Sequence, residues 1–203
     1  MATKETRTIF TRFERFWHWT QALLIVGMMA TGFGIQGAHD LIPYAQAAEI
    51  HRLAAWGVMG LWVFAIFWHF TTGAWRHYIP TAHKLGAMIR YYGVDIFNTD
   101  AEPPYRVTPQ AKHNPLQRLA YLAFKLVISP LIWVTGLLYM FYSAWPRLGI
   151  TGLDLQTVAF AHVLGAFMML VFFIAHVYIA FTGRPWTKYL KAMITGRTEV
   201  YVD

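Results

Sequence analysis

Four apolar runs divide the chain. Positions 16–36, 53–71, 119–142 and 157–181 share one charged residue, Lys125, and the other 26 charges of the chain lie outside them. Each run is 19 to 25 residues long, and a helix needs about 20 residues to cross a hydrocarbon core of about 30 Å. The pattern predicts an all-α membrane protein, one domain over 1–203, with transmembrane helices at about 14–36, 49–71, 118–142 and 157–181. The first run extends past 20 residues and has no small-x-small cleavage site, so it is expected to stay as an anchor. In the long connection 72–117, the stretch Thr81–Phe97 mixes Leu85, Met88, Ile89, Tyr92 and Ile96 with basic residues, the mark of a helix lying in the membrane interface. The tail Pro185–Gly196, with Trp186, Tyr189, Leu190 and Met193 among lysines, has the same character. Such segments serve either surface anchoring or docking of a cytoplasmic partner.

Composition agrees with this pattern, since 57% hydrophobic and 13% charged residues is too apolar for an ordinary soluble domain. The basic residues then set an orientation. Lys4, Arg7, Arg12 and Arg15 precede the first run. Arg76, Lys84, Arg90, Arg106, Lys112 and Arg118 lie in the middle connection, and Arg184, Lys188, Lys191 and Arg197 in the tail. The two remaining connections have only Arg52 and Arg147. The positive-inside rule therefore places both termini and the middle connection in the cytoplasm. The net charge of +7 is accounted for by this asymmetry and not by nucleic-acid binding. Absence of cysteine excludes disulfides, thiolate zinc sites, iron–sulfur clusters on this chain and covalently attached c-type haem.

The nine histidines supply the candidate chemistry, because polar side chains within apolar spans are costly and mark function. His162 and His176 share the last run. Fourteen residues at about 100° each fall about 40° short of four full revolutions and rise about 21 Å, so both rings leave one face, one near each membrane surface. Measured from the cytoplasmic ends of their spans, His162 stands at about 28 Å and His51 at about 30 Å. On the cytoplasmic side His176 stands at about 7 Å, with His18 and His69 both at about 3 Å. Depth leaves the choice between His18 and His69 open. Paired neutral imidazoles at two depths of a four-helix bundle are what two non-covalent, bis-histidine b haems require. A zinc or di-iron carboxylate site fits worse, since the spans contain no Asp or Glu.

Several ordered motifs carry a resemblance. These are Arg12-Phe-Glu-Arg-Phe-Trp-His-Trp19, His51-Arg52, His113-Asn-Pro-Leu-Gln-Arg118, Pro130 with Thr135-Gly136, and His162…His176-Val-Tyr followed by Thr182-Gly183. Together they resemble the prokaryotic cytochrome b561 superfamily, and within it the membrane cytochrome b subunits of thiosulfate reductase, formate dehydrogenase and nickel–iron hydrogenase. The resemblance implies a diheme, quinone-reactive subunit that joins a molybdopterin, iron–sulfur, nickel–iron or multihaem partner to the quinone pool. It implies that His51 and His162 hold the outer haem and that His18 and His176 hold the cytoplasmic-side haem. His69 is left to a propionate, to quinone or to water at the membrane lip.

By the same resemblance the quinone site lies beside the cytoplasmic-side haem, where Asn114 and Gln117 can donate hydrogen bonds. Asn114-Pro115 also reads as a helix cap. Lys125 is expected to pair with a propionate or a quinone oxygen, or to snorkel past Tyr121. Arg52, Arg15 and Arg184 are candidates for propionate pairing. Ser129-Pro130 is expected to kink the third helix. Two other classes remain as expectations to exclude: a stand-alone diheme protein such as a superoxide:quinone oxidoreductase, and a haem-free anchor or transporter.

Overall fold

A computed structural model describes residues 3–98, 100–105, 108 and 112–202. Its elements are β1 (Thr3–Thr8), α1 (Arg12–Ile35), α2 (Tyr44–Thr72), α3 (Leu85–Gly93), α4 (Pro115–Ala123), α5 (Ser129–Met140), α6 (Leu155–Ala180), α7 (Lys188–Thr195) and β2 (Arg197–Val202). They form two compact units, one holding α1, α2, α7 and both strands, the other α3 to α6. Arg106, one of the basic residues of the middle connection, lies outside the described residues.

Among the described residues, three helices are long and apolar enough to cross a membrane: Tyr44–Thr72, the continuous run Pro115–Met140, and Leu155–Ala180. Their outward side chains, among them Phe67, Leu126, Phe160 and Val171, are more than 60% exposed, as lipid-facing groups should be. Helix α1 is 24 residues long, but His18, Thr20, Gln21 and three glycines dilute its apolar character, and it does not join that set.

In the first unit α1 begins on a capping box. The Thr11 side chain accepts from Glu14 N, and Glu14 Oε2 accepts from Thr11 N at 2.7 Å. Glu14 also pairs with Lys112 at 3.1 Å, with both side chains mostly buried. Helix α2 ends at Gly73, whose φ of +72° is one that glycine adopts without a Cβ penalty.

The terminal strands are the element that the apolar pattern did not predict. β1 and β2 pair antiparallel, Thr3 opposite Val202 through Thr8 opposite Arg197. Val200 of β2 and Ile9, the residue after β1, are buried. Gly196 O accepts from Ile9 N and Phe10 N, and Gly196 itself has φ +81° with no room for a Cβ beside the Phe10 carbonyl. Helix α7 is fastened to α1 by Arg15 Nη1 donating to Ile194 O at 2.6 Å and Trp19 Nε1 donating to Met193 O at 3.1 Å.

In the second unit the expected interfacial helix over Thr81–Phe97 is shorter, Leu85–Gly93 followed by a single 3-10 turn at Asp95–Phe97. The preceding Lys84 has φ +61°, so no helix continues back to Thr81. The third apolar run is continuous but passes through a π-helical turn at Phe124–Ile128. Pro130 explains it. A proline ring collides with the carbonyl four residues back and offers no N–H, and the wider turn accommodates that collision before α5 starts at Ser129-Pro130. Asp154 caps α6, accepting from Thr157 Oγ1 at 2.6 Å and Thr157 N at 2.8 Å. The Thr157 hydroxyl, then the Thr157 backbone N–H, hold the Asp154 carboxyl below its ordinary range.

Candidate functional site

The histidines expected near the outer face occupy equivalent places on their helices. His51 is the eighth residue of α2 and His162 the eighth residue of α6. Each meets a threonine of the neighbouring helix in its own unit. Thr31 Oγ1 lies 3.0 Å from His51 Nδ1, and Thr135 Oγ1 lies 3.1 Å from His162 Nδ1. Both threonines are buried, with 2% and 7% of their surface exposed.

Glycines follow both threonines and bring the helices close. A Cβ on Gly32 would stand 3.5 Å from His51 Cε1, and one on Gly136 would stand 3.2 Å from His162 Cε1. The spacing argument for the histidines contains no trace of these threonines. Of the six Thr-Gly dipeptides in the chain, the two that lie inside apolar runs, at 31–32 and 135–136, are the signal that finds them.

Of the cytoplasmic-side candidates, His176 stacks on Phe172, with centroids 5.9 Å apart and planes at 14°. Phe172 in turn leans on Phe124 of the π-helical turn. His18 meets Trp19 edge to face at 5.1 Å. His69 Nδ1 donates to the Ala65 carbonyl at 2.7 Å, and its ring sits among Trp17, Trp68 and Tyr78. Trp17 therefore lies next to His18 in sequence and against His69 in space. Arg15, His18 and Gln21 follow at three-residue intervals on α1 and share one helix face. Among the described residues, the buried Trp17 Nε1 and Gln21 Oε1 have no hydrogen-bond partner.

Asn114 and Gln117 come together as a capping box. Asn114 Oδ1 accepts from Gln117 N at 2.8 Å, Gln117 Oε1 accepts from Asn114 N at 3.0 Å, and Asn114 Nδ2 donates to Tyr92 Oη at 3.2 Å. The cap leaves Gln117 Nε2 as the donor it does not use. Arg52 is engaged by Glu49 three residues earlier, through contacts of 2.7 to 3.1 Å at an exposed position. Arg15 reaches Ile194 O. Lys125 lies half-buried in the π-helical turn. Arg184 lines a cavity of about 640 Å³ together with Lys188, Lys191 and Arg197, with Glu199 as the one carboxylate among its lining residues.

Each histidine setting, taken by itself, fits a nitrogen ligand of haem b. The anchored Nδ1 atoms fix ring orientation, the glycines give space at each ring edge, and the buried Trp17 Nε1 beside His18 is a donor that a bound propionate can satisfy. Haem b, when bound, supplies a one-electron iron couple.

Comparison with known proteins agrees. The model of the family described as prokaryotic cytochrome b561 matches residues 9–196. YdhU of Escherichia coli (strain K12), assigned as a cytochrome, is 28% identical over 198 residues, covering 93% of this chain and 73% of that protein. No solved structure matches the chain. Helices built for a bilayer, histidines anchored within them and a family match over nearly the whole length lead to one conclusion: this chain belongs to the prokaryotic cytochrome b561 family, membrane proteins that carry electrons through haem b.

Proposed function

We propose that the chain is a four-span diheme cytochrome b that passes electrons between a partner redox subunit and the quinone pool of a bacterial inner membrane. In this reading His51 and His162 are axial ligands of the outer haem, and His18 and His176 of the cytoplasmic-side haem. Neutral imidazoles serve there as nitrogen ligands, and the apolar spans exclude water from the irons.

The observation that carries the reading is the like setting of His51 and His162, at the same helix position and with the same threonine bond at Nδ1. A histidine that ligates iron through Nε2 characteristically has its other nitrogen held in this way.

Four spans and same-side termini are supported by the ribbon. β1 and β2 bond to each other, which supports both strands lying on one face and an even number of crossings. Three helices qualify as spans on hydropathy. The 24 residues of α1, about 36 Å of helix, supply the fourth. The basic rim of the C-terminal cavity then faces the cytoplasm, where a catalytic or electron-transfer subunit docks.

Quinone binds, on this account, near the start of α4, with Gln117 Nε2 as a donor to a quinone oxygen. Gln117→Glu keeps the oxygen that completes the capping box and removes the donor. Stopped-flow reduction of the haems by a short-chain quinol should slow about fivefold, the worth of about one hydrogen bond, with haem content and melting temperature unchanged. Asn114→Ala should instead cost about 0.5–2 kcal/mol of stability, by loss of the cap. A wild-type protein whose haems quinol does not reduce overturns the quinone assignment. A Gln117→Glu rate equal to wild type overturns the role given to Gln117.

A further inference from the structure

Two helix pairs, each taken by itself, repeat one hydrogen-bonded device. In α1–α2, Thr31 Oγ1 lies 2.8 Å from the Gly27 carbonyl, 3.2 Å from the Met28 carbonyl and 3.0 Å from His51 Nδ1. In α5–α6, Thr135 Oγ1 lies 2.5 Å from the Leu131 carbonyl, 3.2 Å from the Ile132 carbonyl and 3.1 Å from His162 Nδ1. Threonine and histidine are 20 residues apart in the first pair and 27 in the second, so the likeness is spatial and does not come from a shared sequence spacing.

The proton inventory decides what this does. A hydroxyl has one hydrogen and two lone pairs, and a carbonyl can only accept. In both pairs the hydroxyl hydrogen points to the carbonyl of the preceding turn, so Oγ1 meets the imidazole as an acceptor. Nδ1 then carries the ring proton, and the ring lone pair is on Nε2, the nitrogen that ligates a metal. Donation from Nδ1–H also enriches the ring in electron density, which stabilises the oxidised more than the reduced iron. Gly32 and Gly136 keep the ring edge and the opposing backbone in contact. A Cβ at Gly136 would crowd His162 Cε1 at 3.2 Å, while one at Gly32 would meet His51 Cε1 at an ordinary contact distance of 3.5 Å.

We propose that Thr31 and Thr135 are positioning residues: each fixes its histidine as the Nδ1–H tautomer, and together they lower the midpoint potential of the haem that His51 and His162 hold. The proposal rests on the ligation given under Proposed function.

The test is potentiometry of the purified, haem-loaded full chain bearing Thr31→Val, Thr135→Val or both, beside the matching serine variants. Valine keeps the shape of threonine and removes the acceptor; serine restores the hydroxyl. Each valine should raise the potential of one haem and leave the other unshifted, and the double variant should raise it further. Affinity for that haem should fall about 10-fold to 100-fold. Serine variants should stay at the wild-type potential. An unshifted potential, a shift or loss shared equally by both haems, or a serine variant that behaves like valine overturns the proposal. The unsubstituted protein is read first, and the absence of b haem there overturns the ligation itself, a result separate from any threonine effect.

Discussion

On the proposed ligation, replacing His162 with alanine should remove one haem and leave the other, so the haem-to-protein ratio measured as pyridine haemochrome should fall by about half. The expectation follows from the coordination. A b haem is held without covalent attachment, by two axial imidazoles and by packing, and an iron that loses one axial nitrogen loses its low-spin, six-coordinate state. His51→Ala should remove the same haem, because on this account His51 and His162 serve one iron. The double variant should therefore lose no more haem than either single one. Folding is not expected to fail with the haem. Thr135 continues to satisfy the Leu131 carbonyl of its own helix, and the retained haem supplies the control. Loss of both haems from His162→Ala, or of neither, contradicts the assignment.

The second large effect separates His18 from His69. His18→Ala and His176→Ala should each remove the cytoplasmic-side haem, while His69→Ala should retain both. The contest is a real one. His69 donates Nδ1–H to the Ala65 carbonyl, and this leaves Nε2 basic in the same way that the threonines do for His51 and His162. It sits within an aromatic cluster of Trp17, Trp68 and Tyr78. His18 stands instead in a column with Arg15 and Gln21, beside the buried polar atoms of Trp17 and Gln21, a setting suited to a haem edge with its propionates. Retention of the haem in His18→Ala with its loss in His69→Ala would transfer the ligand role to His69.

Much of this architecture is legible in the residues themselves, because lipid imposes a simple demand. Every backbone group in the hydrocarbon must be bonded within its own helix, so apolar runs of the right length mark the helices. Histidines inside them stand out against that background, and His51 and His162 each fall at the eighth residue of their own helix, α2 and α6. The terminal ribbon has no apolar signature, because Thr3–Thr8 is polar throughout and resembles an ordinary charged tail. Its partner, about 190 residues further along the chain, would be found only by pairing two distant segments, which local periodicity does not do. The π-helical turn escaped for a related reason. Ser129-Pro130 announces a disturbance, but whether a helix bends or widens is settled by the packing around Phe124 and Ile128, both buried. Arg52 shows the opposite limit: its charge and place suit a propionate, and Glu49, one turn earlier, already engages it.

The central claim is that this chain holds two b haems between paired histidines. Reduced-minus-oxidised absorption spectra of the purified protein, with haem counted against protein, test it most directly. The account predicts b-type bands and a ratio of about two haems per chain. A spectrum without b-haem bands, or a fully loaded preparation that saturates at a single haem, would contradict it.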